Sequence, residues 1–444
     1  MKDLDAPGAR PLSPVTLHPN GRATHIVTHW HPYCVAIQML PPCRGVVAFV
    51  LLAMVVVPAG RAEAAPWTNP EYLYRYVVWG VQHLVPHVTD YERFPSREIE
   101  TASPAYHFAQ GSADAVPTTV ELTENGRVKR IALDDLLRST GSHAFLIVRH
   151  DQLLYEKYFN GYQRDSINFS ASMAKSITSA LVGIAVDERF IQSIDDPIVN
   201  YLPELKARGF DAITIRHLLT MGSGIRYSER EIDFPWSDGT LAYFYPDLRK
   251  LLLSDLVILE PPGRSFHYCS YNTELLGMIL ERATHRTPSE YLQEKIWKPV
   301  GMEYPAIWSI DHSPDGLELM AAALNARAVD FAKFGLLYLK GGVWNGRQIV
   351  PEHWVMESTV RDANDQRPWQ TNADWGRRGA YYKYFWWGIS RAGEDYDFLA
   401  IGMYGQFIFV APREQVVIVR TGKDFGIQPF SWPQMFRYIA EHIQ

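Results

Sequence analysis

Strand-forming runs stand at the two ends of this chain's body, and helix-forming sequence fills the interval between them. "AFLIVRHDQLLYEKYF", residues 144–159, holds two apolar runs around Asp151-Gln152 and predicts a hairpin. "GQFIFVAP", 405–412, and "QVVIVRTG", 415–422, predict two more strands, turning at Pro412-Arg413-Glu414. Between them, "DDPIVNYLPEL" (195–205), "ITIRHLLTMGSGIRY" (213–227) and "ALNARAVDFAKFGLLYLKGG" (323–342) predict helices, the last closed by Gly341-Gly342. A final helix is expected from about Ser431 to Ile443. Strands from both ends with helices inserted argue for one sheet, in an α/β fold of the α+β type, with a helical subdomain over about 190–310.

The body is expected to span 65–444, because the first 64 residues read as a leader. Arg44 precedes the apolar run Val46–Val57, which is followed by Pro58, Gly60 and Ala62-Glu63-Ala64. A positive flank, a short apolar core and a small-residue site are the order of a secretory signal. The expectation is a secreted or periplasmic protein, with membrane association through an uncleaved N-terminal anchor as the alternative. The leader also holds His25, His29, His31 and Cys34, spaced like metal ligands, but a segment outside the folded body is not expected to form a metal site. Residues 70–90, rich in aromatics, predict a helix on the body or at a membrane surface.

The chain of 444 residues has a net charge of −6 and no basic stripe, which excludes nucleic acid as an expected partner. Of its three cysteines, Cys34 and Cys43 fall in the leader. Cys269 is then expected as a lone thiol, a small buried filler rather than a nucleophile.

The stretch that points to chemistry is "SASMAKSITSA", 170–180. Lys175 lies three positions after Ser172 among small and apolar residues, where a solvated helix face would carry other charges. Met173, Ile177, Leu181 and Ile184 recur at helical spacing. On a helix begun at Ser172, residues three apart share a face, about 5–6 Å between Cβ atoms. A serine hydroxyl needs a base beside it, and lysine becomes one only when its ammonium is destabilised. The helix N-terminus adds positive potential there, and the Ser172 N–H can donate to a developing oxyanion. S-x-x-K alone also occurs by chance, so further motifs have to carry the reading.

"GRSFHYCSYNTELLGMILE", 263–281, supplies them: Tyr268, then Ser270, then Gly277 nine residues after the tyrosine. With S-x-x-K at a helix start and "ITIRHLLTMGSGI" between, the chain resembles the serine β-lactamase and penicillin-binding-protein-like hydrolases. It is most similar to the class C β-lactamase-related and 6-aminohexanoate-dimer hydrolase branch, over roughly 95–440. The resemblance implies a mostly antiparallel sheet flanked by helices, and cleavage of a small-molecule amide or ester through an acyl-enzyme. Ser172 would be the nucleophile, with Lys175 and Tyr268 as general base and acid, and no cofactor or metal. Tyr271 rivals Tyr268, but its distance to Gly277 does not fit the pattern. Ser270 stands where many relatives have asparagine, which suits the nylon-oligomer branch.

The resemblance also calls for a K-T-G-like element on an edge strand. Arg420-Thr421-Gly422 is expected to be a decoy, since it ends the second late strand. Ala400-Ile401-Gly402 would occupy the position instead, placing Gly402 beside the substrate and the Met403 N–H as the second oxyanion donor. The lost lysine disfavours β-lactams, and with them a D,D-peptidase. A non-turnover penicillin-binding-like sensor or cell-envelope scaffold is the alternative from another class. Residues 231–247 could wall the pocket or pack the subdomain, Asp195-Asp196-Pro197 suggests a helix cap, and His217 is expected to be structural.

Overall fold

The computed structural model describes residues 65–80, 87–124, 127–229 and 237–444. The leader with its apolar run, His25, His29, His31, Cys34 and Cys43 lies outside the described residues.

The strands from the two ends do meet. The main sheet is built from β1 (Ala109–Gln110), β2 (Ser142–Arg149), β3 (Gln152–Tyr158), β4 (Ala380–Lys383), β5 (Trp386–Ser390), β6 (Tyr396–Gly402), β7 (Gln406–Ala411) and β8 (Val416–Gly422). Their order is β4-β5-β6-β7-β8-β2-β3-β1, antiparallel throughout except for the β1–β3 pair. The join between early and late chain is the β8–β2 pair, with Ile418 opposite Ile147 and Arg420 opposite Phe145. The β2–β3 turn falls on His150 and Asp151, both at positive φ, as a tight hairpin of matching twist requires.

Alternation along the strands gives the sheet two apolar faces, and a helix covers each. Among the described residues the four longest helices are α1 (Met173–Asp187), α2 (Ser270–Thr284), α3 (Ala328–Leu339) and α4 (Ser431–Glu441). α3 lies on Ile408 and Val417, close enough that a Cβ on Gly335 would overlap both side chains. α4 covers the other face, its Phe436 ring 6.0 Å from Phe145, 5.4 Å from Phe407 and 5.5 Å from Phe409. α1 is buried all round from Met173 to Ala185, as an interior helix with few polar positions must be.

A second sheet runs in the order Ser96–Ile99, Ala306–Ser309, Leu324–Ala326, Asn168–Phe169. It corrects one expectation. The helix expected over 323–342 begins only at Ala328, because Leu324–Ala326 pairs as a strand with Asn168–Phe169. Local sequence favours helix there; the tertiary pairing wins. The expected 70–90 helix is shorter as well: α-helix spans Pro70–Arg75, wider turns follow to Gly80, and 81–86 lie outside the described residues. The stretch 195–205 forms 3₁₀ turns rather than α-helix, since Pro197 and Pro203 each deny a backbone donor. The helical region holds short helices at Ile215–Leu219, Asp238–Phe244 and Leu248–Ser254 before α2, and gives way to strand at Ala306.

Candidate active site

The second sheet aims Ser172. Asn168 pairs with Ala326 and Phe169 with Asn325, and the ladder continues as the Ser170 N–H donates to the Leu324 carbonyl at 3.0 Å. The Ser170 hydroxyl donates to the Ala322 carbonyl at 3.1 Å. The chain then reverses through Ala171 at φ +44°, left-handed backbone that costs a non-glycine residue on the order of 1 kcal/mol. Ser172 is delivered half-buried at the N-terminus of α1, where the helix's free N–H groups concentrate positive potential.

One turn in, Lys175 is 1% exposed. Its Nζ donates to Ser172 Oγ at 3.0 Å and to the Ala321 carbonyl at 2.8 Å. Burial drives the ammonium down to about 8, against the pull of Glu229 and Glu274. Part of the population is therefore neutral near pH 8, and a neutral amine held against a hydroxyl can take its proton.

Tyr268 arrives from the loop before α2, its backbone N–H tied to Thr371 Oγ1 at 2.8 Å. Its ring lies 5.1 Å from Lys175 Nζ and packs between Tyr382 and Trp387, at centroid distances of 5.9 and 6.0 Å. Burial raises the phenol well above its ordinary value, while a hydrogen bond with Ser172 pulls the other way. Ser172, Lys175 and Tyr268 thus converge on one point from the start of α1 and the approach to α2. Tyr271, the rival tyrosine, turns into the interior toward Asp238 at 3.5 Å. Ser270 donates to Glu229 Oε1 at 3.2 Å, and Tyr227 donates to the same oxygen at 3.1 Å. Cys269 is buried, and burial pushes its thiol up from the ordinary value.

The end of β6 abuts the segment before Ser172. A Cβ on Gly402 would collide with the Ser170 carbonyl oxygen and crowd Ala171, so only glycine permits that approach. Met403 follows, half-exposed, at the start of a turn carried by Tyr404 at φ +66° and Gly405 at φ +77°. Arg420 points to the α4 face instead, its guanidinium 4.0 Å over Trp432. There it donates to the Gly405 carbonyl at 2.6 Å, the Thr140 carbonyl at 2.8 Å and Ser142 Oγ at 2.9 Å. The strand's alternation is what turns this arginine away from Ser172.

Glu274 and the 320–321 segment escaped the sequence reading. Glu274 accepts the Met320 and Ala321 N–H groups at 2.9 and 3.0 Å, bonds between residues 46 and 47 positions apart that no local pattern announces. Trp387 and Tyr382, the ring walls of Tyr268, were missed with the strands that carry them. Two weaker expectations resolve simply. Asp195 does not cap a helix: it pairs with Arg216 at 2.6 Å, and Asp196 accepts the Tyr201 hydroxyl at 2.8 Å. His217 completes a capping box with Thr214. Of 231–247, residues 231–236 lie outside the described residues, and the helix that follows packs Phe244 on Phe94 and Tyr76. A cavity of about 380 Å³ shares the Tyr382 wall, but none of Ser172, Lys175 or Tyr268 lines it. No group of three or more His, Cys, Asp or Glu side chains fit for a metal occurs among the described residues.

Fold and comparison agree on the class. The sequence model of the Beta-lactamase family matches residues 132–429, and the chain belongs to that family of β-lactamase-fold serine hydrolases. Within it, the chain is similar to a 6-aminohexanoate-dimer hydrolase from Paenarthrobacter ureafaciens, 29% identical over 313 residues, 68% of this chain and 75% of that one. It is more distantly similar to penicillin-binding protein 4* of Bacillus subtilis, 26% identical over 148 residues, 33% of this chain and 32% of that one. Among solved structures, a Bacillus anthracis protein named after 6-aminohexanoate-dimer hydrolase superposes with a TM-score of 0.69 at 24% identity, covering 87% of this chain and 98% of its own. A penicillin-binding protein homologue from Pyrococcus abyssi gives 0.53 at 19% identity, with 70% and 77% covered.

Proposed function

We propose that this hydrolase is an amidase or esterase that cleaves small-molecule substrates through an acyl-enzyme on Ser172. The observation that carries the reading is the contact between Ser172 Oγ and the buried Lys175 amine at 3.0 Å. Neutral Lys175 takes the Ser172 proton as Oγ attacks the carbonyl, and the N–H groups of Ser172 and Met403 receive the oxyanion. Tyr268, kept protonated by its burial, gives its proton to the leaving nitrogen or oxygen and recovers one from Lys175. Water then enters by the reverse relay and releases the acid.

Charge around the site narrows the substrate. Ala400, Ile401 and Gly402 offer no cation where the family resemblance calls for a lysine, and the Ser270 hydroxyl donates to the Glu229 side chain. Donors bearing a carboxylate, β-lactams and peptide C-termini among them, are therefore poor substrates, and neutral or cationic esters and amides are good ones. The leader's order of segments supports export, to the periplasm or outside the cell. Ser172→Ala should abolish both turnover of a small ester and labelling by a fluorophosphonate probe. Full labelling of that variant would overturn the assignment.

A further inference from the structure

We propose that Glu274 is a positioning residue for this reaction: its carboxylate clamps the Met320 and Ala321 amides, and so fixes the carbonyl that holds the Lys175 amine against Ser172. The inference rests on the catalytic roles proposed above and extends them to a residue that touches no substrate.

The chain of contacts is continuous. One Glu274 oxygen accepts the Met320 N–H at 2.9 Å, and the other accepts the Ala321 N–H at 3.0 Å. The carbonyl of that same Ala321 accepts Lys175 Nζ at 2.8 Å, and Nζ reaches Ser172 Oγ at 3.0 Å. Three residues on from Glu274, Gly277 gives the second hold, since a Cβ there would overlap the Met320 side chain. α2 therefore grips the 320–321 segment at two points of one helical face. From its far side the segment is held again by the Ser170 hydroxyl, at Ala322.

Burying a carboxylate is costly, so its place here calls for a use that a neutral side chain would not serve. A carboxylate has two acceptor oxygens, so it can take both N–H groups at once; a carboxamide has one and would turn its NH₂ against the other. Burial raises Glu274 above the ordinary carboxylate range, while the two amides and Lys175 pull it back toward the charged form; it faces Lys175 together with Glu229, the Cys269 thiol and the Tyr268 ring. Since Tyr268 sits just ahead of α2, a single helix aligns both proton-handling groups, the tyrosine through the chain and the lysine through Ala321.

The test compares full-length wild type, Glu274→Gln and Glu274→Asp on a p-nitrophenyl ester across pH, with melting curves and hydrogen exchange at the Met320 and Ala321 amides. E274Q is expected to melt near the wild type, lose about 10–100-fold in kcat with KM little changed, and expose both amides to exchange. Its acid limb should move to lower pH, because the Lys175 ammonium loses an anionic neighbour. E274D keeps the charge but shortens the reach, so its kcat should fall while the acid limb stays put. A folded E274Q with wild-type kcat and an unmoved acid limb overturns the proposal. Should E274Q not fold, E274D decides: lowered kcat supports the clamp, and wild-type kcat overturns it. Wild type that the fluorophosphonate leaves unlabelled would instead refute the catalytic reading, while amide protection would still report on the clamp.

Discussion

Two buried lysines in this protein sit three residues after a side chain they touch, and their surroundings are opposite in kind. Lys333 follows Asp330 on α3, its Nζ 3.3 Å from Asp330 Oδ1 and 3.3 Å from Glu303 Oε1. Lys175 follows Ser172 on α1, and its hydrogen-bond acceptors are a hydroxyl and a peptide carbonyl. Burial lowers both ammonium groups from the ordinary lysine value. At Lys333 two adjacent carboxylates oppose it and keep the cation, a structural ion pair. At Lys175 the contacts are uncharged, and a lysine so placed can lose its proton. Spacing brings the groups together; the partner's charge decides what they become.

That contrast can be broken by substitution. Ser172→Ala should remove essentially all ester turnover, on the order of 10⁶-fold for a nucleophile acting within a unit. Lys175→Met should cost about 10²–10⁴ in kcat, the usual worth of a general base, with the fold intact. Replacing a neutral ester by a chromogenic cephalosporin should lower kcat/KM by about 10–100-fold, the cost of seating its carboxylate with no cation to receive it. The pH profile sharpens the point: only neutral Lys175 works, so kcat/KM should rise up to tenfold per unit as pH climbs toward about 8 and level off above it. Lys333→Met should leave the chemistry of folded molecules unchanged, yet destabilise them by about 1–3 kcal/mol, because Asp330 loses its cation while Glu303 keeps Arg164. Equal activity losses at 175 and 333, at equal stability, would erase the distinction.

Much of this was legible in the sequence, and the gaps have physical causes. Ser172 and Lys175 are joined by helical spacing alone, which the chain displays directly. Tyr268 needed the pattern running through Ser270 to Gly277, and Gly277 is glycine because Met320 lies against it. The late strands at 406–411 and 416–422 read clearly, being continuous apolar runs. β4 and β5 did not: they are short, aromatic and buried on both faces, and the turn between them uses Tyr384 and Phe385 at positive φ, where glycine or asparagine would have signalled it. Glu274 was invisible because its partners are backbone amides, and every residue but proline carries one.

The pairing of β8 with β2 carries a consequence for biosynthesis. Ser172 and Lys175 leave the ribosome early, but Gly402, which presses on the segment before the serine, is made some 230 residues later. If Ser172 acts as proposed, a product terminated before Gly402 would carry the serine without the β6 wall beside its segment, and it should not turn over a small ester.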